Sequence, residues 1–339
     1  MPNTSIYVMT HTAFSCPPDP CYKPLQVGKA INKDLGYLGD DTGDNISDLN
    51  PYYGELTGVY WVWKNDTASD IVGVCHYRRF FINDDWIVLG KEDYERLLSD
   101  CDILLSNAVE HEVSIREEYA VSHGADLMEK TGEVIKELYP EDYDTFEECL
   151  DSKWGYYANL CVTRKPIFDD YCSWLFNICT ELAPRLDLSG KDLYHKRIFG
   201  FVSEILLMVY AKSRGLKIRD GKIGVSSEKA ETTTFKLALS QLVKQRKFTE
   251  ARKMYYDMQK VRPDIWLELS DLKHEMPDIE VILYILEQEA EAGTESFLAL
   301  SGELSELIPI YREEYELAKA GKPAKRAISK TARKIMEQI

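Results

Sequence analysis

The most chemically loaded segment is His76-Tyr77-Arg78-Arg79, which follows at once on the apolar run Asp70-Ile71-Val72-Gly73-Val74-Cys75. An apolar run of that length reads as a buried strand. In open α/β sheets, ligands bind beyond the carboxyl ends of the strands, so these four residues stand where a ligand site is expected. Neighbouring side chains on extended backbone point to opposite sides, so only some of the four can share one cleft. Arginine suits a diphosphate there, because its planar fork takes phosphate oxygens in pairs. The competing reading pairs these arginines with carboxylates of the fold.

Other segments offer weaker constellations. Asp40-Asp41-Thr42-Gly43-Asp44-Asn45 combines carboxylates, an amide and bare backbone, fit for ribose or sugar hydroxyls or a divalent cation, or simply an acidic surface loop. Asp100-Cys101-Asp102 is a formal Asp-x-Asp pair, but it precedes its apolar run rather than following it, which counts against a metal site. Glu204, in Arg197-Ile198-Phe199-Gly200-Phe201-Val202-Ser203-Glu204, stands near the head of an apolar helix. A dipole or capping role is the plainer reading, and a general base for a hydroxyl the sharper one. Trp154, Tyr156 and Asn159 put aromatic faces beside an amide, a pattern that fits a sugar and equally fits a core. Cys16 and Cys21 have no second pair at zinc spacing, and the cysteines inside apolar runs read as small hydrophobes. No metal ligand set is assigned from the sequence.

The elements that must hold these residues alternate. Strands are expected at Ser5–Met9, Asp70–Cys75, Asp102–Leu105, Leu160–Thr163 and Leu216–Ile218. Helices are expected from Asn50-Pro51 through Lys64, at Phe168–Leu182 and at Phe199–Arg214, with mixed helix and turn over 114–150. The proline-bearing stretch Pro17 to Pro24 reads as loop. Strands alternating with helices define an α/β layer fold. From Thr233 onward only helical periodicity remains, which predicts an α/β domain over 1–226 and an all-α extension over 227–339. Phe248–Tyr256, ending at Pro263, has the look of a tetratricopeptide helix. The basic stretch Lys319–Lys334 reads as a solvated face or as a peripheral contact with anionic lipid.

Composition narrows the function classes. A formal net charge of −16 disfavours nucleic acid as a partner. Any anion site must therefore be a local basic island. No apolar stretch approaches the ~18 residues of a membrane span, and strand-like residues begin by Ser5, so a cytoplasmic protein is expected. Walker, GxGxxG, HExxH and GxSxG motifs are absent.

In order along the chain stand Tyr7-Val8-Met9-Thr10-His11, Gln26-Val27-Gly28, GDDTGDNIS, Glu55-Leu56-Thr57-Gly58-Val59-Tyr60-Trp61-Val62-Trp63-Lys64-Asn65, Cys75-His76-Tyr77-Arg78-Arg79-Phe80-Phe81, Trp174-Leu175-Phe176 and Arg197 to Glu204. This series, over about residues 5–225, resembles the bacterial capsular and exopolysaccharide glycosyltransferases whose shared domain was long catalogued as of unknown function. The resemblance implies a GT-A-like fold and transfer from a nucleotide sugar, UDP-linked, to a lipid-linked or growing glycan. Some relatives transfer galactose or galactofuranose. It raises Asp41, Asn45, Glu55, Trp61, Lys64, His76, Arg78, Arg79 and Glu204 as site candidates. On that reading Thr10, His11, Gln26, Val27, Asp41, Asn45, Lys64, Arg78 and Arg79 bind the donor. Glu204 and His76 carry the chemistry, and Trp154, Tyr156 and Asn159 meet the acceptor. Mn or Mg is admitted as a cofactor, and the rival function is a non-catalytic scaffold of a polysaccharide assembly complex.

Overall fold

The computed structural model describes residues 2–190, 196–228, 230–261 and 275–339. The chain divides into two compact units, Met1–Ser226 and Ser227–Ile339.

The first unit is built on one mixed sheet. Its strands are β1 (Thr4–Thr10), β2 (Tyr22–Gln26), β3 (Leu38–Gly39), β4 (Ile71–His76), β5 (Arg79–Phe81), β6 (Ile103–Ser106), β9 (Cys161–Arg164), β10 (Ile218–Gly221) and β11 (Ile223–Val225), while β7 (Val109–Glu110) and β8 (Trp154–Gly155) form a separate pair. The main order is β10-β6-β9-β4-β1-β2-β3. β1 is parallel to β2 and β4, and β9 runs antiparallel between β4 and β6. The chain leaves β1 toward β2 on one side and returns to pair with it as β4 on the other. The crevice at the carboxyl ends of β1 and β4 is therefore a topological switch point.

β1 is buried at all seven positions and β4 at five of six, as expected for strands covered on both faces. Helix α7 (Lys165–Leu182) lies against β4 and β9. Its buried residues Phe168, Tyr171, Cys172, Leu175, Ile178, Cys179 and Leu182 recur at three- and four-residue spacing, which makes one continuous apolar stripe. The other helices of this unit are α1 (Asn50–Tyr53), α2 (Leu56–Asn65), α3 (Lys91–Leu97), α4 (Ile115–His123), α5 (Ala125–Leu138), α6 (Tyr143–Asp151) and α8 (Ile198–Ser213).

Two expectations differ from the structure. The stretch expected to be loop contains β2, with Pro24 opposite Val8. Beyond β2, β3 pairs only with Leu25 and Gln26, so Pro24 stands where the outer ladder is open and its missing N–H costs no ladder bond. The single helix expected from Asn50 is broken into α1 and α2 at Gly54, which adopts φ 56° and ψ −130°. Asn50 Nδ2 donates to the Gly54 carbonyl at 2.7 Å and fixes that break. The Ser47 hydroxyl donates to Asp40 at 2.5 Å and accepts the Ala30 N–H at 3.1 Å.

The second unit contains, among the described residues, only helices: α9 (Ala230–Lys244), α10 (Phe248–Val261), α11 (Met276–Glu291), α12 (Ser296–Leu300), α13 (Leu304–Lys319) and α14 (Lys330–Gln338). Its core is assembled from Leu239, Tyr255, Ile282, Leu286, Phe297 and Leu307, among others. Pro263, the end expected for the tetratricopeptide-like helix, lies outside the described residues. The basic tail packs and pairs within this unit. Ala332, Ile335 and Met336 of α14 are buried in this unit's own core. Lys325 and Arg326 pair with Glu313, and Arg333 pairs with Glu337. The apolar stripe of α14 thus faces this unit's core. No helix among the described residues is long and apolar enough to cross a membrane.

Candidate active site

The ends of β1, β2 and β4 are level: Met9 lies opposite His76 and Thr10 opposite Gln26. The Tyr77 N–H extends the ladder by donating to the Met9 carbonyl at 3.1 Å. Arg79 then turns back as the first residue of β5, pairing with His76 and with Val225 of β11. Sheet pairing thus fixes His76 and Arg79 at the switch point, with Arg78 buried in the turn between them.

Opposite them stand two carboxylates from different helices. Glu55 immediately follows Gly54 and opens α2, so the helix break is what sets its position. Its Oε2 lies 3.1 Å from an Arg197 nitrogen, and its Oε1 accepts from Asn159 Nδ2 at 2.8 Å. Burial by itself would push this carboxyl up, but the Arg197 guanidinium, the His76 ring and the Asn159 bond outweigh it and hold Glu55 well below the usual range. Glu55 is therefore ionised at neutral pH.

Glu204 is the seventh residue of α8 and the one carboxyl in the largely apolar run from Ile198 to Ala211. It lies past the first turn, beyond the reach of the helix dipole, so a capping role does not account for it. Its Oε1 accepts the Ala158 N–H at 2.6 Å. Burial, then the nearby Glu55 charge, push Glu204 up to about 8, against the opposing pull of the Ala158 bond, Arg79 and Arg197. At neutral pH it is largely protonated. Two interacting carboxyls thus have their proton affinities driven apart, the pattern of an acid/base site.

His76 shows the mirror effect. Burial and the guanidinium charges of Arg79, Arg197 and Arg78 pull its imidazole below the ordinary value, against the attraction of Glu55. The ring is neutral, and its buried Nε2 has no hydrogen-bond partner among the described residues.

A short strained segment joins these parts. Ala158 and Asn159 both have left-handed backbone, φ 69° and 50°, a state that costs non-glycine residues about 1–3 kcal/mol each. The strain delivers the Ala158 N–H to Glu204 and the Asn159 carboxamide to Glu55. Asn159 also donates to the Gly200 carbonyl at 3.0 Å, and its Oδ1 lies 3.0 Å from the Ser203 hydroxyl.

Several candidates are placed differently from the sequence expectation. Asn159, expected at the acceptor, is buried and its carboxamide is spent on Glu55, Gly200 and Ser203. Gln26 is buried, its amide donating to Lys33 and its oxygen accepting from Leu35, so it shapes the loop after β2. Val27 is in the core. Asn45 closes its own turn through Gly43 and Ser47, and Lys64 rests 3.4 Å over the Trp63 ring. Trp61 ties the acidic loop to α2 by donating to Thr42 at 2.9 Å. Thr10 is buried and bonds Thr12, His11 is exposed beside Tyr77, and Asp41 is exposed. Trp154 is half exposed on β8, and the Tyr156 hydroxyl donates to Asp220 at 2.9 Å. Asp102 sits at the start of β6, accepting the Lys217 N–H, far from the strand ends that carry the site. Among the described residues no three His, Cys, Asp or Glu side chains gather as a metal-binding group.

Roles for Arg197 and the Ala158 amide were not assigned from the sequence, and Asp40, expected in a loop offering carboxylates to a ligand, is instead internal. Asp40 is fully buried and accepts from the Gly28 and Lys29 N–H groups. Only Arg197 left a signal, standing in the same short motif as Glu204.

A mixed sheet with its site at the β1/β4 switch point, followed by an all-α extension, is a GT-A-like α/β architecture. Residues 5–215 match the family described as a domain of unknown function, DUF4422, and the chain belongs to that family. Among solved structures, the apo structure of the bifunctional glycosyltransferase WbbM is similar, with 30% sequence identity and a TM-score of 0.62 over 66% of this chain. The match covers 46% of that chain, so this protein corresponds to just under half of it. No curated protein matches.

Proposed function

We propose that this protein transfers a sugar from a nucleoside-diphosphate donor to a hydroxyl of a glycan. The observation that carries the reading is the meeting of the Glu204 and Glu55 carboxyls with Arg197 and Arg79 at the switch point. The acceptor oxygen forms a bond to the anomeric carbon while that carbon's bond to the diphosphate oxygen breaks. Glu204, in its ionised form, takes the acceptor's proton. The electron pair leaves with the diphosphate, whose charge Arg78 and Arg79 stabilise. Arg197 keeps Glu55 ionised, and Glu55 in turn keeps Glu204 basic. Similarity to a bifunctional glycosyltransferase supports this reaction class.

The finer assignments belong to the same proposal: a UDP-linked donor, galactose or galactofuranose as the sugar, hexosyl transfer, and a lipid-linked or growing capsular or exopolysaccharide acceptor at the cytoplasmic face. Mn or Mg would be held chiefly by the donor's own phosphate oxygens. A thermal-shift panel of UDP, GDP, CDP and UDP-sugars, with manganese or with EDTA, tests the donor. A selective shift with one nucleotide supports the reading, and no shift with any of them contradicts it.

A further inference from the structure

A second cluster of titratable side chains ends one residue from the Ala158–Glu204 bond. His111 follows β7, and its Nδ1 lies 2.8 Å from Glu118 Oε2 on α4. The Tyr157 hydroxyl donates to the same oxygen at 3.4 Å, and the His111 and Tyr157 rings meet at 5.2 Å. The His111 and Glu118 side chains are each 13% exposed, and Tyr157 is buried. An enclosed carboxylate is costly unless its oxygens are bonded, and here two rings from different segments supply the partners. The other His111 nitrogen, Nε2, is buried with no partner among the described residues. The ring is thus spent on Glu118 and Tyr157.

The backbone holds each member in place. The His111 N–H donates to the Lys153 carbonyl at 2.8 Å, continuing the β7–β8 pair. Glu118 follows the Ser114–Glu117 capping box of α4. Its neighbour Tyr119 donates its hydroxyl to the Phe201 carbonyl of α8 at 3.0 Å. Tyr157 is gripped at both ends: Glu118 takes its hydroxyl, and its carbonyl accepts from the Ser106 hydroxyl at 3.1 Å. That carbonyl and the Ala158 N–H belong to one planar trans peptide group and point in opposite directions. Holding the carbonyl on Ser106 therefore aims the N–H, which reaches Glu204 at 2.6 Å. Ala158 has φ 69°, a strained backbone that persists only where its surroundings over-determine it.

We propose that His111 and Glu118 are positioning residues for the transfer reaction. Together they clamp Tyr157, and with Ser106 they keep the Tyr157–Ala158 peptide turned toward Glu204. The inference rests on Glu204 as the base and adds what holds its hydrogen-bond donor. The other groups acting on Glu204 are Glu55, Arg79 and Arg197, with the Tyr157 hydroxyl nearby. The first three stay unchanged in every variant below.

The test follows the Glu204 carboxyl itself, by infrared difference spectroscopy of the full chain through a pH titration. Its protonated carbonyl band is assigned by its loss in Glu204→Gln, and the amide bands of the same spectra report folding. The wild-type band should titrate near pH 8. Tyr157→Phe and Glu118→Leu should each raise that midpoint by about half to one pH unit, as the Ala158 bond weakens. Removing the Glu118 charge alone would lower the midpoint, so the sign separates positioning from electrostatics. Glu118→Gln keeps an oxygen for Tyr157 and should stay at or below the wild-type value. An unchanged or lowered midpoint in Tyr157→Phe or Glu118→Leu, or a rise in Glu118→Gln, overturns the positioning role and leaves the base reading standing. If the wild type has no such band titrating near pH 8, both readings fall together.

Discussion

The backbone N–H of Ala158 donates to the Glu204 carboxyl at 2.6 Å, from a residue held at φ 69°. A charge-assisting donor is thus aimed at a carboxyl that burial otherwise keeps protonated. The bond lowers Glu204 toward a useful range without neutralising it, and a carboxyl near 8 is well matched to taking a hydroxyl proton.

Glu204→Gln should lower turnover by about a hundred- to ten-thousandfold while leaving donor affinity nearly intact. Initial-rate kinetics beside nucleotide titration separates the two. A loss confined to donor KM would instead mean that Glu204 binds the donor.

The rate should depend on pH in a definite direction. Only ionised Glu204 accepts a proton, so kcat/KM should rise as pH passes through about 8. Stability runs the other way. The folded-state pKa is raised above the unfolded value, so Glu204 favours folding below the unfolded pKa and that contribution is lost as pH rises through about 8. Glu204→Gln keeps an oxygen for the Ala158 N–H, and it should raise Tm at pH 9 more than at pH 5. Melting curves at the two pH values check this sign.

Gly54→Ala tests the helix break. Gly54 adopts φ 56° and ψ −130°, and an added Cβ would stand 3.0 Å from the Arg197 guanidinium. The variant should lose about 1–3 kcal/mol of stability and disturb the Glu55–Arg197 pair, so turnover should fall as well. Urea unfolding and a rate measurement on the same sample check both effects.

Substituting Met336→Asp should destabilise the second unit by several kcal/mol, because Met336 is 1% exposed in its core. If α14 instead served lipid from a loosely held state, this change would leave thermal unfolding untouched and alter only vesicle binding.

Much of this architecture was legible in the chain. Ile71–Cys75 and Ile103–Leu105 are continuous apolar runs, Cys161–Thr163 is a short buried one with a single hydroxyl, and α7 carries an unbroken helical stripe. β2 was not legible, since Pro24 argues against a strand until the open side of its ladder is known. Nor was the break at Gly54, which depends on Asn50 bonding across it. His76, Arg78 and Arg79 stood out as candidates because ligands bind beyond strand ends. The Asn159 role was hidden, because its partners Glu55 and Gly200 lie 104 and 41 residues away in sequence. Contacts of that range arise from packing, and no local pattern encodes them.

The central claim is most directly tested by incubating the protein with individual UDP-sugars and a glycan acceptor, and measuring nucleoside diphosphate release together with sugar gained by the acceptor. The account predicts matched release and transfer from one donor, abolished in Glu204→Gln and in Arg79→Ala. Turnover by Glu204→Gln at the wild-type rate would contradict it, as would nucleotide binding with no transfer to any acceptor.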